Sequence, residues 1–159
     1  MFATLETTSG SLTARLIRGA VAGVASGLVF AAATMWFASS MPDGSAEMPL
    51  HMIATVVQGD DAMAAGTTNV AVGVVVHLVL SALFGMVFAL IAPRLRTNQL
   101  IAVGGHVYGA LLYVLNFAIL APLVFNTFEL ANQPFELVVH VVFGSLLALA
   151  FLHRERPTT

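Results

Sequence analysis

Residues 70–92 read VAVGVVVHLVLSALFGMVFALIA, an apolar run that contains no charged side chain. A helix needs about 20 consecutive apolar residues to cross a bilayer, so this run predicts a transmembrane helix. Three more stretches share this character, and they are residues 19–38, 100–121 and 135–152. The sequence therefore predicts an all-α integral membrane protein, a bundle of four transmembrane helices in one domain over residues 1–159.

The composition points to the same class of protein. Hydrophobic residues make up 58% of the chain and charged residues 9%, whereas soluble domains carry about 25% charged residues. There is no lysine, which excludes cofactors held as a Schiff base, such as retinal or pyridoxal phosphate. There is no cysteine, which excludes disulfides, iron–sulfur clusters and c-type haem. The net charge of −2 predicts no nucleic-acid partner.

The arginines predict how the spans are oriented. They flank the predicted spans in three pairs, which are Arg15 and Arg18, Arg94 and Arg96, and Arg154 and Arg156. Four crossings place all three pairs on one side of the membrane. Since cytoplasmic loops are rich in arginine, both termini are expected in the cytoplasm and the protein in the inner (plasma) membrane. The outer loop, residues 39–69, is expected to hold a short interfacial helix over residues 49–58.

Two pairs of predicted spans resemble each other. VVVHLVLSALFG at residues 74–85 aligns without gaps with LVVHVVFGSLLA at residues 137–148, and the histidines match. More weakly, AVAGVASGLVF at residues 20–30 aligns with AVGGHVYGALL at residues 102–112. We interpret the chain as two related helical hairpins that share one orientation, as in a parallel repeat.

Small residues recur every four positions along the spans. Helices in lipid associate by close packing, so such rows predict contact faces between helices. The row of Gly19, Gly23 and Gly27 is also a candidate contact face for another membrane-protein subunit or a second copy of the chain. The predicted packing residues are Gly19, Gly23, Gly27, Ser81, Gly85, Gly105, Gly109 and Gly144.

Two histidines at matching positions of the repeat, His77 and His140, form the centre of a predicted polar cluster. At a rise of about 1.5 Å per residue, His77 lies about 10 Å below the outer end of its span, and His140 at a similar depth. Asn116 falls at a comparable height, and Glu136 lies one turn above His140 on the same helix face. Polar groups at membrane depth are candidate functional residues.

This cluster has three interpretations. His77 and His140 are a candidate ligand pair for b-type haem, bound through both axial positions. His51, His77, His140 and Glu136 are a candidate metal site for zinc, or for copper with added methionines. In the third interpretation, neutral histidines bind polar groups across helix contacts and stabilise the bundle.

The function that the sequence favours is a non-catalytic multi-pass membrane protein, either an accessory subunit or an envelope stress protein. A metal- or haem-binding membrane protein is the first alternative, and a transporter of protons or small solutes is the second. An enzyme is disfavoured, because neither a phosphate-binding loop nor a Ser–His–Asp arrangement stands out.

Four short motifs carry a resemblance to a known group of proteins. They are MPLHMIATVV at residues 48–57, HLVLSALFGMVFA at 77–89, GHVYGALLY at 105–113 and HVVFGS at 140–145. Together they resemble small uncharacterised four-helix bacterial membrane proteins of the YagU type. The resemblance implies an inner-membrane location and a role in acid stress, and it carries no catalytic residues onto this chain.

Overall fold

The computed structural model describes residues 11–152, in which no strand occurs. Arg154 and Arg156, which contribute to the predicted orientation, lie outside the described residues. The α-helices in chain order are α1 Leu12–Ser40, α2 Met48–Gln58, α3 Asp60–Ala64, α4 Val70–Ile91, α5 Asn98–Tyr113, α6 Ala121–Val124 and α7 Gln133–Leu149. A π-helical segment, Val114–Leu120, joins α5 to α6, and Ala92–Arg94 and Asn126–Leu130 are short 3₁₀ segments.

Within the described residues, three helical stretches are long and apolar enough to cross a membrane, and four were predicted. They are Leu12–Ser40, Val70–Arg94 and Asn98–Val124. The fourth predicted span, residues 135–152, corresponds to α7, which has 17 residues and falls short of that length. Its start is set by Asn132, whose side chain accepts the Phe135 N–H, and the helix gives way to a turn after Leu149.

The first helix pair, α1 with α4, meets backbone to backbone. A Cβ atom added at Gly23 would lie 2.1 Å from the Ser81 carbonyl oxygen, and one added at Gly85 would lie 2.0 Å from that of Gly19. Neither position has room for a side chain. The glycine row of α1, which was a candidate contact face for another protein, is therefore covered by α4 of the same chain, because two such rows pack closely.

The second pair, α5 with α7, is built in the same way. A Cβ atom at Gly144 would lie 2.2 Å from the Gly105 carbonyl oxygen, and one at Gly109 would lie 2.1 Å from that of His140. Gly105 aligns with Gly23 of the first pair. Gly105 contacts Gly144 of α7, and Gly23 contacts Ser81 of α4. Gly144 and Ser81 also align with each other. Equivalent positions of the two hairpins thus make equivalent contacts.

The two ends of this bundle differ in packing. At the end that carries Arg94, the Arg94 end, a core forms around Phe88, Ile101 and Leu147, each at most 1% exposed. Tyr108 joins the two pairs there by donating its hydroxyl proton to the Phe84 carbonyl oxygen at 2.7 Å. At the opposite end, the α2 end, α2 packs across α4 and α1. The side chains there leave an open space.

Candidate functional site

A cavity of about 730 Å³ occupies the α2 end of the bundle. Its walls come from α1, α4, α5, the π-helical segment and α7, and its cover comes from α2 and the stretch around Asn126–Leu130. Most of the chain's phenylalanines line it, together with Met41, Met48 and Met52. A large apolar cavity with a few polar groups is the usual form of a small-molecule site.

Among the described residues, the polar side chains that line this cavity are Thr34, His77, Ser81, Asn116, Asn132, Glu136 and His140. The structure thus brings together both histidines of the repeat and the glutamate of α7. His51 does not line the cavity, because it lies on α2 with its Nδ1 atom 2.8 Å from Thr68 Oγ1.

His77 is held by a hydrogen bond to the neighbouring helix. Its Nε2 atom lies 2.8 Å from the carbonyl oxygen of Gly27 in α1. A carbonyl oxygen accepts, so Nε2 carries the proton, and in the neutral ring Nδ1 is an acceptor. That acceptor has no hydrogen-bond partner among residues 11–152.

His140 has both ring nitrogens engaged. Nδ1 donates to the carbonyl oxygen of Glu136, one turn earlier, at 2.7 Å. Nε2 then accepts from Asn116 Nδ2 at 3.2 Å, so the ring is neutral in this arrangement. Phe30 packs against both histidines, with its ring centroid 5.8 Å from that of His77 and 4.9 Å from that of His140.

The π-helical segment places Asn116 in the site. Its wider turn is seen where the Ala121 N–H donates to the carbonyl oxygen of Asn116, five residues back. Pro122 has no N–H for the Ala118 carbonyl oxygen, which explains why the regular ladder is not kept here. The π-helix was not predicted. Pro122, directly after an apolar run containing one asparagine, was the available signal, and π-helical turns are frequent at functional sites.

Glu136 faces the cavity with little protein contact for its carboxylate. The side chain is 14% exposed, and Oε2 lies 3.7 Å from His140 Nδ1, beyond hydrogen-bond distance. No hydrogen bond to that carboxylate occurs within the described residues. No arginine of residues 11–152 lines the cavity.

The predicted metal and haem sites both depend on which of the polar side chains lie together. Within residues 11–152, no three His, Asp or Glu side chains lie close enough together to hold a metal ion. The predicted set of His51, His77, His140 and Glu136 is therefore not brought together. For haem, no cationic side chain of the described residues lines the cavity to pair with the propionates. Both imidazoles of the candidate ligand pair also pack against the ring of Phe30.

One carboxylate joins the two parts of the cavity's cover. Asp60 of α3 accepts from the backbone N–H groups of Asn126 and Thr127 at 3.0 and 3.3 Å. It also accepts from the Thr127 hydroxyl. The loop after α1 is thus fixed to the loop before α7, at the point where both cover the cavity.

His106, the histidine of α5, lies outside the cavity. It is exposed on the surface of α5, and its Nδ1 donates to the Ala102 carbonyl oxygen of its own helix at 2.7 Å. The space between the cavity and the Arg94 end is filled by the apolar core around Phe88 and Leu147. The cavity is therefore closed towards the Arg94 end.

Comparison with known proteins gives one family. A family model described as "Family of unknown function (DUF6789)" matches residues 13–159. Neither the curated proteins nor the solved structures include a match to the chain. The resemblance to YagU-type proteins stays a prediction. Because the family model covers nearly the whole sequence, the chain belongs to DUF6789, a family of unknown function.

Proposed function

We propose that this chain is a multi-pass membrane protein that binds a lipophilic small molecule in the cavity at its α2 end without converting it. The observation that carries the proposal is the cavity of about 730 Å³, which combines phenylalanine walls with a few polar side chains, among them His77, Glu136 and His140. Such a protein fits the roles expected from the sequence, an accessory subunit of a larger complex or an envelope stress protein.

In this proposal α7 is a fourth crossing. Its 17 residues extend about 26 Å at 1.5 Å per residue, close to a hydrocarbon core of about 30 Å. Four crossings put both termini in the cytoplasm and the cavity on the outer side of the inner membrane. Reporter fusions at the two termini test this topology. Reporters on the same side support four crossings, and reporters on opposite sides support three.

Binding fits the geometry better than transport. A transport path needs polar groups at successive depths, whereas Phe88, Ile101 and Leu147 fill the bundle below the cavity. His106 lies on another surface, so it adds no step to a path from His77 and His140. We therefore propose that ligand enters and leaves at the α2 end.

The experiment compares two tryptophan substitutions on α2. Val56 lines the cavity, whereas its neighbour Val57 is 69% exposed and does not. Binding of the neutral fluorescent probe N-phenyl-1-naphthylamine is measured for wild type, Val56→Trp and Val57→Trp in nanodiscs, and the signal of empty nanodiscs is subtracted. We expect saturable binding by wild type and Val57→Trp, and at least about tenfold weaker binding by Val56→Trp, whose indole occupies the cavity.

Two results would contradict the proposal. One is the absence of saturable binding to the folded wild type, together with the absence of a co-purified lipophilic molecule in organic extracts. The other is equal loss of binding in both variants, since that would place the probe on the surface of α2 and not in the cavity.

A further inference from the structure

Two side chains that line the cavity, Glu136 and His77, carry hydrogen-bond acceptors that no described protein donor reaches, whereas the Ser81 hydroxyl there can donate as well as accept. The Glu136 carboxylate and the Nδ1 atom of His77 have no donor among the described residues. Asn116 gives one of its two amide N–H groups to His140. A ligand that fits these groups donates protons or carries positive charge, because acceptors left without a partner in an apolar site are costly.

No positive charge of the described protein lies at this site. His140 is neutral, since Nδ1 donates to one group and Nε2 accepts from another. Arg18, on the same helix as the cavity residue Phe30, lies about 18 Å away along α1, at 1.5 Å per residue for the intervening turns. An ionised Glu136 therefore faces an apolar cavity without a counter-ion from the described chain, which is unfavourable until a cation pairs with it.

The walls of the cavity that holds Glu136 are largely aromatic. Phe37 and Phe135 stack with their ring centroids 3.9 Å apart and an angle of 11° between planes. Phe117 meets Phe128 edge to face, at 5.9 Å between centroids. All four line the cavity. The faces of such rings carry negative potential and attract organic cations, most strongly where water is excluded.

We infer that the ligand of this cavity is a lipophilic cation, a molecule with an apolar body and a delocalised or alkylated positive charge that pairs with Glu136 among the phenylalanines. This inference rests on the proposed binding function and assigns its ligand class. Anionic lipophiles such as fatty acids are excluded from the site by the same carboxylate and by the absence of arginine from the lining.

Tetraphenylphosphonium and tetraphenylborate test the charge directly, because the two ions have nearly the same shape and opposite charge. Binding of each labelled ion is measured by equilibrium dialysis with the protein in nanodiscs of phosphatidylcholine, and empty nanodiscs give the background. We expect tetraphenylphosphonium to bind at least about tenfold more tightly than tetraphenylborate.

Two matched variants assign the effect to one carboxylate. Glu136→Gln removes the charge that faces the cavity, and Glu129→Gln removes an exposed charge of the neighbouring loop that does not line it. We expect Glu136→Gln to weaken tetraphenylphosphonium binding about tenfold. Glu129→Gln is expected to leave it unchanged.

The outcomes distinguish a wrong ligand class from a wrong binding function. Equal affinity for the two ions, or unchanged affinity of Glu136→Gln, overturns the inference, and the binding function stands if Val56→Trp still blocks the neutral probe. If neither ion nor the neutral probe binds the folded protein, the inference and the proposed function both fail.

Discussion

The two helix pairs share one backbone interface and differ at the α2 end. Thr34 of α1 bonds only to carbonyl oxygens of its own helix, at 3.2 Å to Phe30 and 3.0 Å to Ala31. When the alignment of α1 with α5 is extended, Thr34 matches Asn116, which instead reaches His140 of the partner helix. Glycine spacing thus builds the frame that both halves share, whereas a local π-helical turn in one half adds Asn116 to the polar site.

The largest loss of stability is expected for substitutions in the glycine contacts that the two halves share. Gly23→Leu and Gly105→Leu each force a side chain into a helix contact, because an added Cβ would lie 2.1 Å from the Ser81 oxygen and 2.5 Å from the Gly144 oxygen. We expect each to lower the free energy of unfolding by about 3 kcal/mol. Thermal unfolding followed by circular dichroism in detergent measures both.

Gly104→Leu is the control for these glycines. Its added Cβ would meet the side chain of Leu95, whose end can move. We expect a loss of less than about 1 kcal/mol. If Gly105→Leu is no less stable than Gly104→Leu, the second pair does not pack like the first.

A smaller effect is expected where the two halves are joined, at Asp60. Asp60→Ala leaves the backbone N–H and hydroxyl of buried Thr127 without their acceptor. We expect faster amide hydrogen exchange around Thr127, equivalent to about 2 kcal/mol of lost local stability. Asp61→Ala is the matched control, since the exposed Asp61 side chain makes no such contact. Equal exchange in both variants would contradict the role of Asp60.

The difference between the halves is tested at Thr34 and Asn116. Asn116→Leu removes the donor to His140 Nε2 and leaves a buried acceptor unpaired, so we expect a loss of about 1.5 kcal/mol. Thr34→Val removes a hydroxyl that bonds only within its helix, and we expect a loss below about 0.5 kcal/mol. Chemical unfolding in mixed micelles compares the two. Equal losses would mean that the π-helical turn adds no tertiary contact.

A loss of stability smaller than that of Asn116→Leu is expected for a substitution at His77. His77→Phe keeps a ring of similar size and removes the bond to the Gly27 carbonyl oxygen across the first pair. Bonds of this kind between membrane helices average about 0.6 kcal/mol, and we expect a loss near that value. His106→Phe serves as the control, because that histidine bonds within α5 and is exposed. A larger loss for His106→Phe than for His77→Phe would reverse our assignment of the two rings.

Much of the frame can be predicted from the sequence because the relevant signals are local. The long apolar runs predict α1, α4 and the stretch through α5, and the four-residue spacing of glycines predicts which faces meet. The residues around Gly19 do not show which helix covers this glycine row. The same row suits another chain or α4, and only the completed packing decides between them.

The candidate site was predictable in part. Their depths on parallel helices predict that His77, His140 and Asn116 lie at one level. All three line the cavity. The structure does not bring His51 to the cavity, because the direction of a short helix on the bundle depends on loop contacts such as that of His51 with Thr68. The start of α7 and the π-helical turn depend on single residues, Asn132 and Pro122, whose effects a hydropathy pattern does not contain.

The short connection between α4 and α5 has a consequence for how the molecule is assembled. Residues 92–97 link two hairpins, each of which already contains its own glycine-packed helix contact. A chain cut in this connection is expected to give two fragments that each insert as a hairpin and then reassociate. The full-length protein then behaves as a covalently tethered heterodimer, and the cavity at the α2 end is complete only when both halves are together, because both contribute its walls.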